Sequence, residues 1–219
     1  MGVALNLFAK IRQAAADTLS GGDGKLERNP RGDLLVAQAL SPRSELVRLG
    51  DSYAVAIATG SAFAPVAAWP TTRAELILWN GEDPGGKSYV IDSAWVASIT
   101  SVAAASSITL LGQVVPSKGV AAPTDDTAQI ISSLSGRSSN YGGRARRAVA
   151  NTAFCIANGW QALGAVAASP SASIGAGAFA ECEGRFIIPP GGTFGLNAVF
   201  STAAGTAIAG LSWHEIQLS

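Results

Sequence analysis

The sequence predicts an all-β fold, a jelly-roll-like β-sandwich preceded by an N-terminal helical or extended arm. Three observations carry this prediction. From Lys25 onward, about eight short runs rich in β-branched and aromatic residues recur along the chain. Each run is bounded by a cluster of Gly, Pro, Asn or Ser, so turns punctuate the chain at strand spacing and not at helix spacing. The composition also fits: 219 residues suffice for a large core without disulfides or metals, and apolar residues make up 48% against only 14% charged.

The arm occupies residues 1–24 and the sandwich 25–219. In the arm, Val3, Leu7, Ile11, Ala15 and Leu19 fall on one helical stripe with Ala4 and Phe8 beside it. Lys10, Arg12, Gln13 and Asp17 lie off the stripe. Ser20-Gly21-Gly22-Asp23-Gly24 then stops the helix, because glycine adopts the backbone angles that end one. Such a stripe can bind a partner through Leu7, Phe8 and Ile11, or pack on its own domain. The sequence leaves both open.

The sandwich begins with the apolar runs Leu34–Ala37 and Tyr53–Ile57. Ala74–Trp79 is a strong strand, and Asn80-Gly81, followed by Pro84-Gly85-Gly86, reads as a reversal. Tyr89–Asp92 would be the returning strand of a hairpin with a long loop. Trp95–Leu111 has strand composition, with a short helix possible at Ala103-Ala104-Ala105. Gln113–Ser139 is expected to be a long polar loop, with one short strand at Ile130-Ile131. Ala148–Ile156 and Trp160–Ala167 flank an Asn158-Gly159 turn. Phe179–Ile188, the turn Pro189-Pro190-Gly191-Gly192, Phe194–Phe200 and Ile208–Leu218 complete the series. In the last run Trp213 shares a face with Glu215 and Gln217, and His214 lies opposite.

Composition excludes several function classes. Fifteen basic and fifteen acidic side chains give no net charge, which argues against a general nucleic-acid binder. No run of about 18 uncharged apolar residues is present to span a membrane, and Met1–Ser20 lacks the pattern of a secretory signal, so synthesis in a cytoplasm is expected. Cys155 and Cys182 are too few for a disulfide framework and read as small buried hydrophobes. A surface so poor in charge solubilises a lone monomer weakly, which suggests that neighbouring subunits cover part of it.

Candidate chemistry is sparse. No Cys/His cluster has metal-ligand spacing and no phosphate-binding loop occurs, so no cofactor is expected. The one histidine, His214, has no nucleophile or orienting acid near it in sequence and reads as a strand histidine, not a catalytic one. Asp125-Asp126 reads as a solvated turn, and Arg31-Gly32-Asp33 as a turn. Arg137, Arg144, Arg146 and Arg147 form the basic cluster, able to grip an anionic patch on a partner or to stay solvated. Five tryptophans could include a sugar-stacking platform, with Trp69 and Tyr141 as its loop aromatics.

The segment Gly184–Leu196, with Ile187-Ile188-Pro189-Pro190-Gly191-Gly192 at its centre, and the closing Leu211-Ser212-Trp213-His214-Glu215-Ile216 resemble the ending of jelly-roll structural proteins of tailed bacteriophages. Arg73–Asp92 is similar to them in texture, so the resemblance covers about half the chain. It implies a virion component: a capsid (head) decoration protein, a head fibre or a tail-associated protein, built as a homotrimer and attached to other virion proteins. It brings no catalytic residues. The expected partners are further copies of the chain and other virion proteins, with no membrane and no nucleic acid. A receptor- or glycan-binding sandwich is the alternative, and a small carboxylate hydrolase a more distant one.

Overall fold

The computed structural model describes residues 42–57, 62–71, 73–100, 106–116, 130–133, 144–150, 155–168, 175–201 and 205–217, with backbone alone for 144–150. The arm at 1–24, with Leu7, Phe8 and Ile11, lies outside the described residues. So do Arg31-Gly32-Asp33, Leu34–Ala37, Ala103-Ala104-Ala105, Asp125-Asp126, Arg137 and Tyr141.

One helix, α1 (Pro42–Leu49), leads into strand β1 (Ser52–Ala56). The strands that follow are β2 (Arg73–Trp79), β3 (Ser88–Ser98), β4 (Ser106–Val115), β5 (Ile130–Ser132), β6 (Arg144–Ala150), β7 (Gln161–Ala168), β8 (Gly177–Glu181), β9 (Ile187–Ile188), β10 (Thr193–Phe200) and β11 (Ala207–Ile216). They form two antiparallel sheets. The first runs β5-β1-β11-β3-β8, with β9 also paired to β3, and the second runs β6-β2-β10-β4-β7.

Without the short additions β5, β6 and β9, the orders are β1-β11-β3-β8 and β2-β10-β4-β7. Successive strands therefore switch sheets, except between β4 and β7, which are neighbours in one sheet. That connectivity is the jelly roll, two Greek keys wrapped face to face. The core is the layer between the sheets. Leu76, Leu78, Leu110, Phe194, Leu196 and Phe200 come from one side, and Val55, Tyr89, Ile91, Val96, Leu211 and Trp213 from the other. Phe186 and Phe194 meet edge to face, with centroids 5.3 Å apart. A smaller cluster of Ala74, Ile77, Leu111, Cys155 and Trp160 packs separately.

Several expectations are corrected. The segment Glu75–Asp92 is not a hairpin: β2 and β3 belong to different sheets, and the chain between them crosses from one sheet to the other. Neither Asn80 nor Gly81 has positive φ. Asn80 is selected by its amide instead, which donates to the Lys87 and Ile188 carbonyls. Ala148–Ile156 and Trp160–Ala167 do not flank one local pair, since β6 and β7 are the opposite edges of a single sheet. Gln113–Val115 are not loop but the end of β4, with Gln113 and Val115 buried. The short strand at Ile130-Ile131 is present as β5.

Phe179–Ile188 is two strands along the same side of β3, with an excursion between them. Register along the β3–β11 pair jumps from Ser93↔Ser212 to Ile91↔Trp213, which leaves Asp92 as an extra bulged residue. Opposite that bulge the neighbouring chain loops out at Glu183 and Gly184, both at positive φ (46° and 78°). It returns through Arg185 N–H to the Cys182 carbonyl at 2.9 Å. Cys182 and Phe186 stay buried on either side.

Candidate functional site

The outer surface of the first sheet holds the most distinctive arrangement. Antiparallel register places Ala56 opposite Gly210, Gly210 opposite Trp95, and Trp95 opposite Phe179. These four residues make one row across β1, β11, β3 and β8, and it contains no charge. The row faces away from the core, because the alternate residues Val55, Leu211, Val96 and Ala178 are the buried ones. Gly210 has a steric reason: a Cβ there would lie 2.6 Å from the Trp95 ring, so the indole lies flat over the glycine. Phe179 ends the row at 61% exposure, the most exposed large apolar side chain among the described residues. In the adjacent row Ile131, 41% exposed, stands opposite Ala54.

On the same sheet, His214 Nδ1 lies 2.8 Å from Asp92 Oδ1, and both are largely buried. The bulge turns Asp92 toward the ring. The orienting acid that the sequence did not reveal is therefore 122 positions away in the chain. A base with an orienting acid still needs a nucleophile, and the two nearby serine hydroxyls, Ser93 and Ser212, bond each other at 2.7 Å.

One end of this sheet is closed by a charged cluster. Lys87 Nζ is 2.8 Å from Asp51 Oδ1 and 3.3 Å from Glu215 Oε2. Glu215 stands on the core side beside Trp213 and is buried, and burial pushes its carboxyl above the usual range while Lys87 pulls it back. Lys87 is pushed up from 10.5 to about 12, first by its hydrogen bond to Asp51. Burial, then the Glu215 charge, raises the Tyr89 phenol well above its ordinary value.

The linkage has a definite sign. Folded Glu215 holds its proton to higher pH than unfolded Glu215, so its contribution falls as pH rises from the ordinary carboxylate range to its folded pKa. The Lys87 contribution is complete below about 10.5 and is lost as pH rises through about 12. Lys87→Met should therefore cost about 1–2 kcal/mol near pH 8, less than a fully buried pair because Lys87 reaches solvent. Part of that loss should return at a lower pH, toward the ordinary carboxylate range, as the stranded Glu215 takes up a proton, which its burial favours. Urea unfolding at the two pH values tests this, and an equal penalty at both would break the proposed coupling to Glu215.

The second sheet carries a shallow cleft of about 220 Å³ lined by Val66, Ala68, Trp69, Pro70, Thr71, Arg73 and Asn197. Trp69 is 51% exposed, whereas Trp160 and Trp213 are buried. Arg73 is held by the buried Glu75, with Nε to Oε1 at 2.7 Å. Asn197 is buried and donates to the Arg73 carbonyl at 2.7 Å.

Three of the four arginines of the basic cluster are on a strand. Arg144 pairs in register with Trp79, Arg146 with Ile77 and Arg147 with Leu76 along the β2–β6 ladder. Their run lacks the apolar alternation that marks a strand, so the sequence concealed it. Cys155 and Cys182 are buried in different clusters, and burial raises the Cys182 thiol. Among the described residues no group of three or more His, Cys, Asp or Glu could hold a metal. Among the same residues, no helix is long and apolar enough to cross a membrane.

No protein-family model and no curated protein sequence matches the chain. A cryo-EM structure of mud crab dicistrovirus aligns over 91% of this chain and 83% of its own, at 12% identity and a TM-score of 0.22. That score is too low to carry an argument about fold or function.

Proposed function

We propose that this chain is a non-enzymatic structural subunit of a virion that works by associating with its own copies. The observation that carries the reading is the uncharged row Ala56-Gly210-Trp95-Phe179 on the outside of the first sheet, with Phe179 largely exposed. Outward-facing aromatic surface of this kind, exposed at Phe179 and partly exposed at Trp95, is what interfaces bury. The jelly-roll strand order and the resemblance of Gly184–Leu196 and Leu211–Ile216 to phage structural proteins support the virion assignment. Within it, a decoration protein, head fibre or tail-associated protein is proposed, with a trimer as the closed ring and the arm and arginine cluster as contacts to other virion proteins.

Absolute mass by light scattering on a size-exclusion column tests the reading. A discrete oligomer is expected, with Phe179→Ser weakening it by about tenfold or more, the effect of losing about 1.4 kcal/mol at an aromatic anchor. A wild-type chain that remains monomeric at every accessible concentration would overturn it.

A second reading, a glycan- or receptor-binding sandwich, is favoured by the Trp69 cleft alone. An exposed indole beside Arg73 is suited to stacking on a sugar ring. Saturable oligosaccharide binding that is lost in Trp69→Ala would establish it, and no binding in either protein would remove it.

A further inference from the structure

The four outer strands of the two sheets are protected to very different degrees. An edge strand presents unpaired N–H and C=O groups, and natural proteins blunt such edges by shortness, charge, proline or cover. β5 has three residues, and β6 carries Arg144, Arg146 and Arg147 within seven. β8 has five residues and ends at Glu181, whose carboxylate is 3.9 Å from Arg43 Nη1. β7 has none of these devices among the described residues, and only a bulge at Leu163 interrupts it. It runs for eight residues, Gln161-Ala162-Leu163-Gly164-Ala165-Val166-Ala167-Ala168, without a charge or a proline.

The outer side of β7 pairs with no strand among the described residues. Gln161, Ala162, Ala165 and Ala167 are exposed, while Val166 turns inward to the core. A bulge leaves Leu163 without a partner on β4, and from Gly164 to Ala168 the register is regular. A Cβ on Gly164 would stand 3.5 Å from the Phe179 carbonyl oxygen, so this edge continues directly into the exposed end of the aromatic row.

We propose that β7 is the seam along which two copies of this chain join, each adding the other's β7 antiparallel to its own second sheet. The edge is complementary to itself. Turned about a two-fold axis through Val166, it sets Ala165 against Ala167 and Gly164 against Ala168, small residue to small residue with no like charges opposed. The backbone groups of both edges are then satisfied, and two five-stranded sheets become one of ten. The two Phe179 side chains flank the seam. The contact is two-fold and so joins copies in pairs; a trimer would use it to join one ring to another. This inference rests on the self-association proposed above and assigns its contact.

The test is a pair of charge variants at exposed positions that leave the monomer core untouched, Ala165→Lys/Ala167→Lys and Ala165→Glu/Ala167→Glu. Each alone opposes like charges across the seam and should lower the mass of the particle by half in light scattering, with an unchanged circular dichroism spectrum. An equimolar mixture should restore the wild-type mass, because lysine then faces glutamate. Variants that keep the wild-type mass would overturn the seam and leave self-association standing, as would variants that dissociate but do not recover on mixing. A wild-type chain that is monomeric overturns self-association itself, and the seam with it.

Discussion

Replacing Trp213 by alanine is expected to cost about 3–5 kcal/mol, a large share of the roughly 5–15 kcal/mol that holds a domain folded. The indole is fully buried in β11 between two tyrosines. Tyr53 stacks on it with centroids 5.9 Å apart, and Tyr89 with centroids 6.3 Å apart. Register accounts for both contacts, since Tyr53 is directly opposite Trp213 on β1, and Tyr89 is opposite Glu215 one step along β3 on the same face. Alanine would leave a cavity that three strands line and that the stacked rings cannot close. Trp213→Phe should keep part of the stacking and lose less. Denaturant unfolding of both variants tests this; an alanine variant within about 1 kcal/mol of wild type would show that the indole is not a core element.

Asn80→Ala should cost about 3 kcal/mol or more, from about 1 kcal/mol for each of three hydrogen bonds and a small cavity besides. Asn80 is fully buried at the point where the chain crosses between sheets. Its Nδ2 donates to the Lys87 carbonyl at 2.9 Å and to the Ile188 carbonyl at 3.0 Å. Its Oδ1 accepts from Glu82 N–H at 3.0 Å. Its backbone also exchanges hydrogen bonds with the Pro189–Gly192 turn, donating to the Gly192 carbonyl and accepting from Gly191 N–H. One amide thus ties the crossing segment to the turn before β10. Asn80→Asp keeps the acceptor but loses both donors and places a buried carboxylate against two carbonyls, so it should be at least as damaging as alanine at neutral pH. Hydrogen exchange should show the amides of Glu82, Asp83, Gly85, Gly86 and Lys87 opening together with those of Gly191 and Gly192 in the alanine variant. Stability and protection equal to wild type would remove the amide from this role.

The same residue shows how far the sequence could be read. Asn80-Gly81 followed by Pro84-Gly85-Gly86 announces a reversal, and the chain does reverse there. Turn chemistry is local, but it does not say which strand receives the chain afterwards. β2 finds its neighbours in β10 and β6, more than a hundred and about seventy residues away. Likewise Tyr89–Asp92 and Trp95 both read as strand, but only register with β11 and β8 joins them into one strand of eleven residues bulged at Asp92. Alternation along β11 was legible and puts Trp213 and Glu215 on one face, but only the packing makes that face the buried one.

The candidate site was less legible than the fold. Phe179 reads as a core residue from its type, and only the position of β8 at a sheet edge leaves it exposed. Trp95, Gly210 and Ala56 lie far apart in sequence and form a row only after two pairings are made, with a third to bring in Phe179. The Asp92 partner of His214 was hidden for the same reason. Arg144–Arg147 showed no strand signal, because three arginines in four positions give no period-two pattern, while the pairing with β2 makes a strand of them. One signal was present and unread: Gln161–Ala168 contains no charge, which matters only once the strand is known to be an edge.

By itself, then, the sequence determined the all-β class, most strand positions and the turns. Each of these depends on alternation, backbone angle preference or side-chain size, which act between residues a few positions apart. The tertiary structure alone decided the sheet to which each strand belongs, the edges, the bulge at Asp92, and therefore the exposed row and the bare edge of β7. Those depend on backbone hydrogen bonds between strands remote in the chain, and such bonds are made by N–H and C=O groups that nearly every residue carries alike.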